Sequence, residues 1–500
     1  MNADQKKTLK RNILYAVGTV LFGCLLIFGW SLFVVSVWYA DTFDLEFKEL
    51  IYTMLSPLKG TGEGTINEIL GSCLPPVICF ACVYIVIAVS FAFRADLWKL
   101  LRRIGASATA IVLVGALVYA TVAFRIPDYI AAQMDQTTIY EDYYVDPNSV
   151  TISAQGKPKN LIYIFAESLE TTYTSYELGG YQPQNYMPKL TELAKENVSF
   201  SDKGEGQIGG FLNPEGTGWT MAALLATTAG IPFSFPLGEL DGNSMDQRES
   251  FASGLTTLGD ILQKYGYRQE FLCGSDAAFA GRDLYFTQHG NYEIFDLFTA
   301  RERGYIPPDY NVFWGFEDRV LFEIAKEELL SLSASTQPFN FTMLTLDLHH
   351  KGGYFCPECE SVYENETANI VSCTDRQLTE FVTWCQQQAF YEDTVIIITG
   401  DHPRMDTILV EGLEDEQRIV YNCFINSAVM PKGAVFERNF TILDLFPTTL
   451  AAMGFTIEGD RLGLGINLFS TLPTLAEQMG YFTLEDEVKK YSDYYIKKFS

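Results

Sequence analysis

The chain has 500 residues, 48% of them hydrophobic, with 35 Lys and Arg against 62 Asp and Glu, a net charge of −27. That length exceeds one ordinary domain. The charge is uneven: residues 1–130 hold 11 basic and 9 acidic side chains, and the remainder holds 24 against 53. So acidic a remainder excludes a nucleic-acid-binding surface, which needs cations to displace counterions.

Three apolar runs open the chain, Ile13–Trp38, Leu74–Phe93 and Ala106–Phe124. Each is close to the ~20 residues that a bilayer requires, so residues 1–124 read as a membrane anchor of three helices. The first run lacks a small-residue cleavage site after it and reads as an anchor, not a removed leader. Lys6, Lys7, Lys10 and Arg11 precede the first run, and Arg94, Lys99, Arg102 and Arg103 lie between the second and third. The positive-inside rule puts both groups in the cytoplasm. An odd number of spans then delivers the acidic remainder to the outer side.

Residues 125–157 read as a polar tether, 158–475 as the catalytic domain and 476–500 as a tail. Short apolar runs at Leu161–Phe165, Glu270–Leu272, Phe341–Leu346, Val395–Thr399 and Ile419–Ile425 alternate with helix-like segments at Met187–Asn197, Leu255–Tyr265, Asp318–Ser331 and Thr374–Gln388. That alternation predicts an α/β layer fold with a mostly parallel sheet. Ligands in such sheets sit beyond the carboxyl ends of the strands.

Four clusters fall at strand ends or helix starts. Glu167 follows the first run, Thr220 opens an apolar helix in GTGWTMAALLATTAG, Asp347, His349 and His350 follow the third, and Asp401 and His402 follow VIIITG. The chain holds four histidines, and three of them lie in these clusters. Singly, each position has a plain alternative: a helix cap for Thr220, a cap acid for Glu167, a turn for Asp401-His402. Jointly, two carboxylates and an imidazole suit Zn²⁺ or Mn²⁺ better than Ca²⁺, which prefers oxygen ligands. A threonine hydroxyl beside such a cation is easier to deprotonate and attacks more readily.

FAESLE, GTGWT opening a helix, a histidine at a strand end and TGDH, in that order, resemble the alkaline-phosphatase/sulfatase superfamily. Within it the chain resembles the membrane-anchored phosphoglycerol transferases, the group of lipoteichoic acid synthase, and most closely the glucan-modifying phosphoglycerol transferase I branch. IYIFAESLETTY, FLCGSDAAFAGRD, WGFEDRVL, LTLDLHHKGG, RLGLGINLFS and PLKGT at 57–61 carry that closer resemblance.

The resemblance implies a sulfatase-like α/β fold and a bacterial plasma-membrane protein with its catalytic domain outside. It makes Glu167, Thr220, Asp401 and His402 the set for one divalent metal, Mn²⁺ foremost and Zn²⁺ or Mg²⁺ next. Thr220 is then the nucleophile, with Thr217 a nearby rival hydroxyl. His349 and Arg282 match substrate-binding positions, and His350 is not expected to take part. The donor would be phosphatidylglycerol and the acceptor a glycan or glycolipid hydroxyl, through a glycerophospho-threonine intermediate with release of diacylglycerol. A phosphoethanolamine transferase or phosphodiesterase of the same superfamily is a second reading, and an inactive envelope scaffold a third. The lipoteichoic-acid branch carries Trp two residues before the Arg, where this chain has Ala280, which favours the glucan-type branch. The C/S-x-P-x-R motif of true sulfatases is absent around Thr220, which argues against sulfate-ester hydrolysis.

Of ten cysteines, six lie outside the spans, at 273, 356, 359, 373, 385 and 423. An even number in an oxidising compartment suggests disulfides. Cys356-Pro-Glu-Cys359 could begin a zinc ribbon, a reading set lower because no second C-x-x-C follows. The resemblance implies a Cys359–Cys373 bridge and leaves Cys356 without an assigned partner.

Overall fold

The computed structural model describes residues 3–42, 63–92, 95–154, 156–234 and 250–499. PLKGT at 57–61 and Arg94 lie outside the described residues. The chain divides into two compact units, one of residues 1–47 and 63–130 and the other of 48–62 and 131–500.

The first unit is helical: Ala3–Thr42, Glu63–Ala92, Ala95–Ala123 and the start of Ile126–Met134. Two stretches, Val17–Ala40 and Ile69–Ser90, are long and apolar enough to cross a membrane on their own. The expected third span, Ala106–Phe124, is not matched by such a helix. Its apolar part, Ser107–Ala123, qualifies only jointly with Ile126–Met134, to which it is bent by 60°. The basic cluster at Lys99, Arg102 and Arg103 shortens the apolar run from one side. Arg125, with φ of 48°, breaks the helix on the other. The helices hold each other through polar contacts at sites where apolar burial gives no preference. Tyr84 donates to the Thr19 carbonyl at 2.6 Å, and Trp30 stacks on Phe80 with centroids 5.0 Å apart. Val20, Phe28, Val86 and Val114 stay exposed, as lipid-facing side chains do.

The second unit is built on a six-stranded sheet. Its strands are β2 (Asn160–Ala166), β3 (Arg268–Cys273), β4 (Glu293–Phe295), β5 (Phe339–Leu344), β6 (Thr394–Gly400) and β7 (Asn422–Ile425), ordered β4-β3-β5-β2-β6-β7. All neighbours are parallel except the edge pair β6–β7. The expected mostly parallel sheet is therefore present as a mixed one. β1 (Ile152–Ala154) pairs separately with β8 (Phe455–Ile457).

Both faces of the sheet are covered, so the central strands read as continuous apolar runs. Alternate residues of β2 face opposite ways. Leu161, Tyr163 and Phe165 pack with the helices Thr220–Ala229 and Leu445–Ala452, while Ile162, Ile164 and Ala166 pack with Pro188–Glu196, Asp318–Ser333 and Glu366–Gln386. Within 125–157, Ile139 and Tyr140 are buried in the first of these cores, and Tyr495 and Phe499 of 476–500 join them there. Tyr140 and Tyr495 rings meet edge to face at 5.2 Å.

Candidate active site

The register of the central strands creates the site. Ala166 of β2 lies opposite Gly400 of β6, so the next residues, Glu167 and Asp401, leave the sheet side by side. Ser168 joins them. Its amide donates to Asp401 Oδ1 at 2.8 Å and its hydroxyl to Glu167 Oε1 at 2.8 Å. Ser168 holds φ of 53° to do so, a left-handed conformation that a non-glycine residue adopts at some cost. The Glu167 amide is taken by Thr345 Oγ1, just past β5, at 2.9 Å.

His402 is fully buried. Its Nδ1 lies 2.8 Å from the Pro403 carbonyl. A carbonyl can only accept, so Nδ1 carries the proton and Nε2 presents a lone pair. Nε2 faces Glu167 Oε1 at 3.4 Å and Asp401 Oδ2 at 3.3 Å.

Thr220 is the first residue of the helix Thr220–Ala229, and Trp219 at the N-cap makes no side-chain capping bond. The helix-cap reading of Thr220 thus fails on geometry. Its Oγ1 donates to Glu167 Oε2 at 3.3 Å and lies 3.4 Å from His402 Nε2. Thr220 is half-buried, whereas Glu167, Asp401 and His402 are buried. Thr217 is fully buried and donates to the Pro214 carbonyl at 2.6 Å, which takes the rival hydroxyl out of the group.

Burial and close packing perturb both carboxyls of this group. Burial, and then the neighbouring Glu167, push the Asp401 carboxyl up to about 7. Burial also works against ionisation of Glu167, but His349, His402 and the Ser168 hydroxyl outweigh it and hold that carboxyl below its usual range. Asp401 Oδ2 is buried without a hydrogen-bond donor. One ligand atom from each of Glu167, Asp401 and His402 can be chosen so that all lie within 4.8 Å of one another. Two carboxylate oxygens, an imidazole lone pair and a hydroxyl around one point fit a divalent cation such as Mn²⁺ or Zn²⁺.

His349 lies close enough for its charge to act on Glu167 and for that of Arg282 to act on it. Its Nδ1 donates to the His350 carbonyl at 2.9 Å. Burial pushes its imidazole below the ordinary value, and with Nδ1 committed to that carbonyl, Nε2 is the ring nitrogen left toward the site. Trp314 packs on it with centroids 4.6 Å apart. Arg282 is buried and largely spent on its own loop, donating to the Phe279 and Asp276 carbonyls at 3.1 and 2.8 Å and to Ser275 Oγ at 3.0 Å. His289, the histidine outside the strand-end clusters, is structural: Nε2 meets the Phe251 carbonyl at 2.8 Å and Nδ1 meets Asp260 at 3.1 Å.

Sequence reasoning passed over Ser168, Asn213 and Asp318. Asn213 Nδ2 bridges the carbonyls of Thr217 and Asp401, each at 2.9 Å. Asp318, in WGFEDR, accepts the amides of Leu346 and Asp347 at 2.6 and 3.1 Å and so shapes the loop that carries His349. Ser168 directly after Glu167 was the available signal; Asn213 and Asp318 act across loops and left none.

The expected Cys359–Cys373 bridge is not formed. Among the described residues the cysteines are free thiols. Cys356 Sγ lies 3.5 Å from Cys359 Sγ and 3.8 Å from Cys373 Sγ, too far for a bond of about 2.05 Å. Three sulfurs have gathered where two were expected.

This sheet, with a carboxylate–histidine set and a hydroxyl together at its carboxyl edge, is the plan of the alkaline-phosphatase-like α/β proteins, whose members use a divalent metal. The chain belongs to the Sulfatase family, whose model matches residues 159–455. It is 31% identical over 440 residues to phosphoglycerol transferase I of Salmonella choleraesuis, covering 84% of this chain and 52% of the relative. It is 29% identical over 334 residues to phosphoglycerol transferase I of Xanthomonas euvesicatoria, covering 64% and 45%. The chain thus spans about half the length of these curated relatives. Among solved structures it is similar to the lipooligosaccharide phosphoethanolamine transferase A of Neisseria meningitidis (14% identity, 90% of this chain and 87% of that one, TM-score 0.49). A lipoteichoic acid synthase of Listeria monocytogenes is also similar (17% identity, 67% and 80%, TM-score 0.45).

Proposed function

We propose that this protein transfers phosphoglycerol from phosphatidylglycerol to a hydroxyl of an extracytoplasmic glycan or glycolipid, with Thr220 as nucleophile. The observation that carries the reading is the placement of Thr220 Oγ1 at a helix start, 3.3 Å from Glu167 Oε2 and 3.4 Å from His402 Nε2. Glu167, Asp401, His402 and Thr220 would hold one divalent cation, Mn²⁺ foremost. When bound, that cation supplies the positive charge that favours the Thr220 alkoxide and offsets charge on the phosphoryl group.

Thr220 Oγ attacks phosphorus, the bond from phosphorus to the diacylglycerol oxygen breaks, and diacylglycerol departs with the proton that Thr220 gave up. An acceptor hydroxyl then attacks the glycerophospho-threonine, and the proton it loses returns to Thr220. The uncapped first-turn amides of Thr220–Ala229 suit the phosphoryl oxygens. His349, with Nδ1 held by the His350 carbonyl, suits a glycerol hydroxyl through Nε2. The donor lipid lies in the outer leaflet, and apolar spans in the same chain would hold the catalytic unit beside it, replacing a diffusive search. The donor is already a phosphodiester, so no nucleotide is required.

The reading is tested by peptide mass spectrometry of the chain after incubation with phosphatidylglycerol and Mn²⁺. A glycerophosphate adduct on the peptide holding Thr220, with diacylglycerol released and both absent in Thr220→Ala, is the expected result. An adduct from phosphatidylethanolamine alone would replace the donor. No adduct from either lipid across Mn²⁺, Zn²⁺ and Mg²⁺ would leave the scaffold reading.

A further inference from the structure

The loop downstream of His349 carries a second cluster of metal-ligating groups. Cys356 and Cys359 lie on that loop, and Cys373 lies in the helix Glu366–Gln386 that packs beneath the sheet. Cys356 and Cys373 are buried, and Cys359 is half-buried. The Sγ atoms of Cys356 stand 3.5 and 3.8 Å from those of Cys359 and Cys373, and all three sulfurs lie within 4.8 Å of one another. Zinc bound to thiolate at about 2.3 Å in a tetrahedron sets its sulfurs about 3.8 Å apart. The separations of 3.5 and 3.8 Å are close to that edge.

The surroundings are those of a thiolate cluster. The Cys359 amide donates to the Cys356 carbonyl at 3.0 Å, closing the turn between the two cysteines of the C-x-x-C. Gln377 is buried, with Nε2 at 3.1 Å from Cys373 Sγ and 3.7 Å from Cys356 Sγ. Its Oε1 is buried and has no hydrogen-bond partner. Exchanging the two ends of that amide, which are alike in shape, turns an oxygen toward the sulfurs. Arg376 NH2 lies 3.6 Å from Cys373 Sγ and also donates to the Glu358 carbonyl at 2.7 Å, while NH1 faces the Glu358 and Glu380 carboxylates at 3.8 and 3.7 Å.

We propose that Cys356, Cys359 and Cys373 form a structural zinc site, completed by Gln377 or water, that clips the loop after His349 to the helix beneath it. The zinc-ribbon reading of Cys-Pro-Glu-Cys lacked a second C-x-x-C; the fold supplies Cys373 in its place. Binding converts three thiols to thiolates, releases three protons and oxidises nothing. The site is independent of the transferase reading and shares no residue with the Glu167–Asp401–His402 set.

The test is X-ray absorption at the zinc edge on the full chain, purified in detergent and loaded with zinc alone. The expected spectrum contains sulfur scatterers at about 2.3 Å, which the oxygen and nitrogen ligands of the Thr220 site cannot supply. Cys356→Ser should lower the bound zinc by one equivalent, while Asp401→Asn should leave the sulfur signal in place. The melting temperature of the Asp401→Asn chain, with its three cysteines intact, should fall on chelation, a readout that needs no cysteine variant to fold. Spectra holding oxygen and nitrogen scatterers alone would overturn the proposal. So would a protein two hydrogens lighter that yields a crosslinked Cys359–Cys373 peptide.

Discussion

Asn213 Nδ2 donates to the main-chain carbonyl of Asp401, 188 residues later in the chain, at 2.9 Å. The same nitrogen also holds the Thr217 carbonyl at 2.9 Å. One carboxamide therefore ties the turn that launches Thr220 to the strand end that presents Asp401 and His402. The distance between hydroxyl and cation set is fixed by this bridge, not by either motif alone.

Asn213→Ala should lower turnover by about tenfold to a hundredfold, since small misplacements of a nucleophile cost that much. The metal content measured on the same preparations should stay at the wild-type level, because no ligand is removed. Loss of the metal along with activity would mean that the bridge holds the ligands themselves.

Thr220→Ala should abolish transfer, by at least about a thousandfold, as removal of a nucleophile does. Thr217→Ala should retain the adduct on Thr220 and lose only stability, by roughly 1 kcal/mol for one buried hydrogen bond. Adduct-bearing peptides from both variants, compared by mass spectrometry, decide between the two hydroxyls.

Ser168→Ala keeps the amide bond to Asp401 but deletes the hydroxyl that orients Glu167. Metal affinity should fall by about 10–100-fold, the usual cost of losing such an outer partner. Titration calorimetry with Mn²⁺ on the two proteins gives the number directly. An unchanged affinity would remove Ser168 from the site.

Glu270, in the middle of β3, is buried with both carboxylate oxygens lacking hydrogen-bond partners. Burial first, then the charges of Glu328 and Glu293, push it up to about 8. Its folded value thus lies above the unfolded one, near 4.5. Between those two values the folded protein holds a proton that the unfolded chain has lost, so stability falls as pH rises from about 4.5 to about 8. At about 1.4 kcal/mol per unit, the loss is of the order of a few kcal/mol. Glu270→Gln should therefore raise the melting temperature at pH 8.5 and leave it nearly unchanged at pH 4.5. Equal effects at both values would show that the carboxyl is not the group responsible.

Local sequence pattern located most of the sheet. Leu161–Phe165 and Val395–Thr399 became β2 and β6 within a residue or two at each end, because buried parallel strands are apolar along their whole length. Ile419–Ile425 narrowed to Asn422–Ile425, with Val420 bridging Glu170 and Phe211 outside the ladder. The helix expected at Thr374–Gln388 begins earlier, at Glu366, where Asn365 caps it through the Ala368 amide. A cap hidden among other polar residues gives a weak boundary signal. The three-residue β4 was too short to register at all.

The sequence by itself determined the chemistry available: an apolar anchor, a parallel sheet, and acids, histidines and a threonine waiting at strand ends. Hydropathy and strand composition are local properties, so they survive in a one-dimensional reading. The resemblance already favoured Thr220 over Thr217, but only the tertiary structure gives the orientations: Thr220 Oγ1 toward Glu167 and Thr217 Oγ1 toward the Pro214 carbonyl. Tertiary structure also decided that Asn213, Ser168 and Asp318 hold the loops, and that Cys356 joins Cys359 and Cys373 as a third sulfur. Those outcomes depend on strand register and on hydrogen bonds spanning up to 233 residues, and pairings over that distance leave no periodic trace in the chain.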